Sequence, residues 1–128
     1  MADFLIDTHV FLCWQHRSGL SRAAAEAIAD PENRIFVSAA SIWEIAMKAK
    51  TGKLTFAASP FKAIAANGFF ELPILPIEAE AAGLMAGDLS DPFDRALVAQ
   101  ALRLNLTFVT ADKAIRHYPG LVQLWAGA

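Results

Sequence analysis

The chain has 128 residues, an ordinary length for one domain, and a single domain spanning 1–128 is expected. With 55% hydrophobic and only 19% charged residues, it has material for a large core and some apolar surface left for a partner. A net charge of −2 gives no bulk-electrostatic sign of nucleic-acid binding, and the lone Cys13 excludes an intrachain disulfide.

No stretch approaches the roughly 20 apolar residues of a membrane span. The N-terminus has no basic region, and Asp7 interrupts its apolar run, which argues against a signal peptide. A reducing cytoplasm is the expected setting.

Residues 3–7 (DFLID) predict a short buried strand, followed by a helix over 8–17 that ends at Ser18-Gly19. Ser21 is an N-cap candidate for a second helix, RAAAEAIAD, which stops before Pro31. Residues 34–38 (RIFVS) read as a second buried strand, and AASIWEIAMKAK as a helix with Gly52 just past its end.

Pro60 starts another helix, PFKAIAAN, closed by Gly68. Residues 69–75 (FFELPIL) read as extended, with Pro73 pointing to an edge or irregular strand. IEAEAAGLMAG is expected to be helical, and Asp91-Pro92 opens the helix PFDRALVAQALRLN. The last elements are a strand at 106–110 (LTFVT), a short helix ADKAIRHY and a strand LVQLW. Strands alternating with helices predict an α/β fold, with a mainly parallel twisted sheet of about five strands covered by helices on both faces.

Four acids stand where a strand hands over to a helix: Asp7, Glu44, Asp94 and Asp112. A parallel sheet gathers such junctions at one edge, where open sheets bind ligands. Carboxylates converging there repel one another, and oxygen ligands suit Mg²⁺ or Mn²⁺. Three of the four also have a structural reading. Ser41-Ile42-Trp43-Glu44 matches a capping box, Asp94 follows the N-cap candidate Asp91 in a first turn, and Asp112 fits another first turn. Asp7 has no such reading, because an unpaired buried carboxylate costs several kcal/mol. Asp94 shares a helix face with Leu97, Val98 and Ala101, which turns it inward. Lys48, four residues after Glu44, is either a surface ion-pair partner or a phosphate contact at the rim. His9 fits a helix start better than a site neighbour, and His16 and His117 read as surface residues.

The blocks FLIDTHVFLCW, VSAASIWEIAMKAKTGKL, DPFDRALVAQA and TFVTADKAI, with the ending YPGLVQLW, resemble PIN-domain ribonucleases. They are most similar to the VapC toxins of bacterial type II toxin–antitoxin systems, over nearly the whole chain. The resemblance implies a metal-dependent endoribonuclease whose catalytic and metal-binding residues are Asp7, Glu44, Asp94 and Asp112. Asp91 is the second candidate for the third position. Thr8 and Thr110 match small hydroxyl residues that flank these acids. Mg²⁺ or Mn²⁺ is the implied cofactor, and products with a 5′-phosphate and a 3′-hydroxyl are implied.

The implied partners are RNA of the transfer or ribosomal class, a VapB-like antitoxin lying across the first two helices, and a second copy in a homodimer. DNA contact would come through the antitoxin. Lys48, Lys50 and Lys53 form the densest basic cluster, and Arg95 is a further candidate phosphate contact. One departure from the pattern of the resemblance is local: many members of the family carry a histidine or basic residue before DPFD, where this chain has Asp88 and Ser90. Two other readings compete, a non-catalytic PIN module that binds RNA or protein, and a metal-dependent phosphatase of another α/β class. The haloacid-dehalogenase form of the latter requires D-x-D at the first strand, and here His9 holds its third position.

Overall fold

In the computed structural model, which describes residues 1–128, five strands form one sheet. They are β1 (Asp3–Ile6), β2 (Arg34–Ser38), β3 (Phe70–Leu72), β4 (Thr107–Thr110) and β5 (Gln123–Trp125). All pair in parallel, in the order β3-β2-β1-β4-β5. Helices α1 (Thr8–His16) and α2 (Arg22–Ala29) join β1 to β2, and α3 (Ala39–Lys50) and α4 (Pro60–Ala66) join β2 to β3. Helices α5 (Pro76–Leu84) and α6 (Pro92–Leu104) carry the chain from β3 to β4 on the far side of β1.

The two-residue period of the strands splits the core into two layers. Phe4 and Ile6, with Ile35, Val37 and Val109, face Val10, Phe11, Ile28, Ile45 and Ile64 from α1 to α4. Leu5 and Phe108 face the other way, onto Leu97, Val98 and Ala101 of α6. Burial on both faces explains why FLI and IFV contain no polar residue and why TFV has only Thr107, at its half-buried start. The strand order reverses between β1 and β4, so a crevice opens beyond their C-terminal ends. Asp7 directly follows β1, and Asp112 comes two residues after β4.

Four sequence expectations need correction. The strand expected over 69–75 is only Phe70–Leu72, because Pro73 cannot donate to the ladder; its place at the sheet edge is as expected. The helix expected over 77–87 stops at Leu84, since Met85 is extended and Gly87 takes φ +96°.

Residues 111–118 form turns instead of a helix. Ile115 N–H donates to the Asp112 carbonyl and Tyr118 N–H to the Ile115 carbonyl, a tight i→i+3 pattern, and Gln123 Nε2 also donates to the Ile115 carbonyl. Pro119 follows and disfavours helical backbone at Tyr118. The Ser41–Glu44 capping box does not form either. α3 begins directly at the end of β2, so Ser38 is its N-cap and accepts from Ala40 N–H.

One buried charge lies outside the crevice. Glu78 on α5 is 1% exposed. One carboxylate oxygen accepts from Leu75 N–H at 2.8 Å, closing the N-terminus of its own helix, and the other accepts from Arg103 Nε of α6 at 2.8 Å. Removing the cation strands the carboxylate in the core. Arg103→Ala is expected to cost about 3 kcal/mol in urea unfolding. Adding Glu78→Gln, which keeps the cap and removes the charge, is expected to recover at least half of that loss.

Candidate functional site

The four acids singled out in the sequence converge on one cleft. Asp7, Glu44, Asp94 and Asp112 line a cavity of about 240 Å³ together with Asp91, Thr8, His9 and Lys48, with Leu12 and Leu54 as its apolar wall. Five carboxylates thus share the cleft with one lysine.

Asp7 is the most tightly held. It is 4% exposed. Its Oδ1 accepts from Val10 N–H at 2.8 Å, which makes it the N-cap of α1 and corrects the expectation that Asp7, unlike the other three acids, has no helix-start role. Its Oδ2 accepts from the Thr110 hydroxyl at 2.6 Å. Thr110 Oγ1 in turn accepts from Asp112 N–H at 3.0 Å, so one hydroxyl ties the β1 acid to the β4 acid. Burial pushes Asp7 up to about 6, and the Asp112 charge adds to it; the Thr110 and Val10 hydrogen bonds and His9 pull it back.

Asp91 and Asp94 divide the start of α6. Asp91 is the N-cap, its Oδ1 accepting from Phe93 N–H at 2.8 Å and Asp94 N–H at 3.2 Å. That leaves the Asp94 carboxyl free to face the cleft. Burial, then the charges of Asp91, Asp112 and Asp7, and a hydrogen bond shared with Asp112 push Asp94 up to about 8. The crowded carboxylates therefore resist full ionisation as a group until a cation balances them, with Asp94 the most strongly raised member.

Glu44 is buried on α3, and its Oε2 accepts from Lys48 Nζ at 2.6 Å. Both sequence readings of Lys48 are thus partly met: it is the i+4 ion-pair partner, and it also lines the cleft. Its ammonium is held above its ordinary range by the Glu44 hydrogen bond and by the charges of Glu44, Asp91 and Asp94.

Other candidates sit differently. Thr8 does not orient an acid; its hydroxyl donates to Ser41 Oγ at 2.9 Å and ties α1 to α3. Arg95 is turned away from the cleft, with Nε donating to the Leu89 carbonyl at 2.6 Å and Nη1 to the Ala82 carbonyl. It anchors the acidic loop before α6, so the phosphate contact expected of it has no geometric support. His9 lies at the cleft, with Nε2 3.5 Å from Cys13 Sγ. Burial and the Asp7 charge push the Cys13 thiol up, away from nucleophilic reactivity. His16 and His117 are exposed, as expected. Sequence reasoning gave Ser41 a capping role instead of its contact with Thr8, and missed the wall residues Leu12 and Leu54. Only Ser41 carried a signal, as a serine on the same helix as Glu44.

The donor set is all oxygen, with carboxylates in excess of cations, and this fits a hard divalent ion such as Mg²⁺ or Mn²⁺. The acids do not close into a tight three-ligand cage in this conformation. The cleft is wide enough for water to complete a coordination shell, as Mg²⁺ requires.

The PIN domain family matches residues 4–121. No curated protein sequence matches the chain. Among solved structures, it is similar to a toxin–antitoxin complex from Klebsiella pneumoniae (23% identity, TM-score 0.62, covering 95% of this chain and 96% of that one). It is also similar to FitAcB from Neisseria gonorrhoeae (16%, 0.63, covering 94% and 96%). A third is VapBC2 from Rickettsia felis bound to a DNA fragment from their promoter (13%, 0.59, covering 97% and 98%). At these identities the likeness is one of fold. The family match overturns the reading as a phosphatase of another α/β class: the chain belongs to the PIN domain family.

Proposed function

We propose that this PIN domain is a Mg²⁺- or Mn²⁺-dependent endoribonuclease and the toxin of a type II toxin–antitoxin pair. The observation that carries the reading is the crowding of Asp94 by Asp91, Asp112 and Asp7 in a cleft with one lysine. Such a cluster is unfavourable for the protein alone and becomes favourable once a divalent cation neutralises it. Asp7 and Asp94 are the primary ligands in this reading, with Glu44 and Asp112 completing the set directly or through water. Bound there, the cation supplies a Lewis acid for the scissile phosphate and makes a nearby water acidic enough to attack at neutral pH.

The chain's own groups do the rest. The Thr110 hydroxyl and Val10 N–H each occupy one Asp7 oxygen and fix the carboxylate plane, leaving its remaining lone pairs for the cleft. Lys48, already in the field of Glu44, Asp91 and Asp94, is placed to meet a phosphate oxygen as the substrate enters. Asp91 uses one oxygen, Oδ1, for the α6 cap, and its charge lies at the cleft beside the proposed ligands.

The partners follow from the same reading. A cavity of about 220 Å³ between α1 and α2, lined by Cys13, Trp14, Leu20 and Ala25 with Arg17 and Ser18 at its rim, suits an apolar segment of a VapB-like antitoxin. Several structures similar in fold are toxin–antitoxin complexes, and some of them hold DNA. DNA contact here is assigned to the antitoxin, in keeping with the acidic balance of this chain. A homodimer and an RNA of the transfer or ribosomal class complete the proposal. No helix is long and apolar enough to cross a membrane, and a cytoplasmic site of action is proposed.

Purified protein, freed of antitoxin and supplied with Mn²⁺, is expected to cleave RNA from a total cellular pool, with 5′-phosphate ends on mapping. Asp7→Asn is expected to lower the rate by more than about 100-fold, and Thr110→Val, which removes an outer-shell partner, by about 10–100-fold. Equal cleavage by wild type and Asp7→Asn would contradict the proposal.

The raised carboxyl groups also predict a pH trend. Their unfolded values lie near 4, so the native state binds the extra protons, and stability is lost as pH rises through about 6 for Asp7 and about 8 for Asp94. In the absence of divalent ions, the melting temperature of wild type is expected to fall relative to Asp94→Asn between pH 5 and about 9. Added Mn²⁺ is expected to cancel most of that fall, with its largest effect at high pH; a thermal-shift series measures both.

A further inference from the structure

Helices α3 and α6 each carry an aromatic ring one residue before an acid of the cleft: Trp43 precedes Glu44, and Phe93 precedes Asp94. The two rings meet edge to face, with centroids 5.2 Å apart and planes at 85°. Trp43 is nonetheless 64% exposed. The other two tryptophans are covered. Trp14 donates its indole N–H to Asn67 Oδ1 at 3.0 Å and lies under the Arg17 guanidinium, and Arg116 sits 4.1 Å over the Trp125 ring. Trp43 has neither a hydrogen bond nor a cation on it. Met47, one turn further along α3, is exposed beside it. The Phe93 contact clasps α3 to α6, which a smaller or better-buried ring could do as well. It does not account for a large open indole next to the cleft.

We propose that Trp43 is a stacking platform for an unpaired base flanking the scissile phosphate. This rests on the ribonuclease reading above. The charge balance favours a base as the occupant. With one lysine in the cleft and a net charge of −2, attraction to the RNA backbone is weak. Stacking on an indole needs no charge and accepts any base. The Trp43–Phe93 contact sets the open ring between the N-terminal parts of α3 and α6, the two helices that carry Glu44 and Asp94 into the cleft, and in this proposal a base next to a phosphate bound there reaches it. A paired base cannot offer its face to that ring without leaving its own stack, and the resulting energy difference selects single strands.

The test compares wild type, Trp43→Ala and Trp43→Tyr in Mn²⁺ on a short single-stranded oligoribonucleotide with a mapped cleavage site, and on the same strand annealed to its complement. Trp43→Ala is expected to raise KM for the single strand about tenfold, within the range of one lost stacked base, and to leave kcat within about twofold. Trp43→Tyr is expected to restore most of the loss; Trp43→Ala is expected to lower the melting temperature by a few degrees through the lost Phe93 contact, with Mn²⁺ affinity at the wild-type value. Wild type is expected to cleave the single strand in preference to the duplex. An unchanged KM overturns the proposal, and so does a fall in kcat alone, which would make the ring a clasp that positions the acids. Conversion of a dimer to a monomer by Trp43→Ala, seen in sedimentation, also overturns it and assigns the ring to a second copy. If wild type cleaves no RNA in Mn²⁺, the ribonuclease reading itself fails, a result distinct from an active enzyme indifferent to Trp43.

Discussion

Asp94 lies within the field of Asp91, Asp112 and Asp7, and the repulsion among these groups is the constraint around which the cleft is built. Like charges at short range in a partly dry crevice disfavour ionisation, so at least one of them keeps a proton near neutrality. A domain could relieve this by letting the acids drift apart. Here the backbone prevents it. Asp7 is fixed between the end of β1 and the start of α1, Asp94 is held in the first turn of α6 by the Asp91 cap, and Glu44 is carried by a helix that begins directly at the end of β2.

The sheet accounts for that rigidity. Strand order reverses between β1 and β4, and the strands flanking the reversal are buried on both faces by separate cores. The crevice beyond their ends is therefore floored by elements that cannot move without exposing Leu5, Ile6, Phe108 or Val109, all fully buried. Thr110 links floor to function: it is the last residue of β4, and its hydroxyl donates to Asp7 while accepting from the Asp112 backbone. The repulsion is thus stored where a bound cation can use it, and polar second partners fix the carboxylates before any ligand arrives.

Much of this was legible in the sequence because it depends on local pattern. The apolar strands, the Pro92 helix start and the Asp91 cap are each written in a few consecutive residues, and the order of strands and helices implied the parallel sheet. The convergence of Asp7, Glu44, Asp94 and Asp112 followed from that topology. What sequence reasoning missed depends on partners distant in the chain. Ser41 gains its role from Thr8, Glu78 from Arg103, and Arg95 from the Leu89 and Ala82 carbonyls. The expected helix at 111–118 failed for a related reason. Its residues have adequate helical propensity, but Thr110 and Gln123 claim the local hydrogen-bonding groups, and Pro119 restricts Tyr118. The Ser41–Glu44 motif is a case where a true pattern had a different cause, since the helix starts earlier and Glu44 is free to face the cleft.

The most direct measurement is a calorimetric titration of Mn²⁺ into the protein near pH 7, repeated in buffers of different ionisation enthalpy. If the crowded carboxylates form the cation site, binding must displace protons that the cluster holds near neutral pH, and Asp94→Asn, which removes its most strongly raised member, must reduce the release. Binding of Mn²⁺ without proton release, or release undiminished in Asp94→Asn, would contradict it.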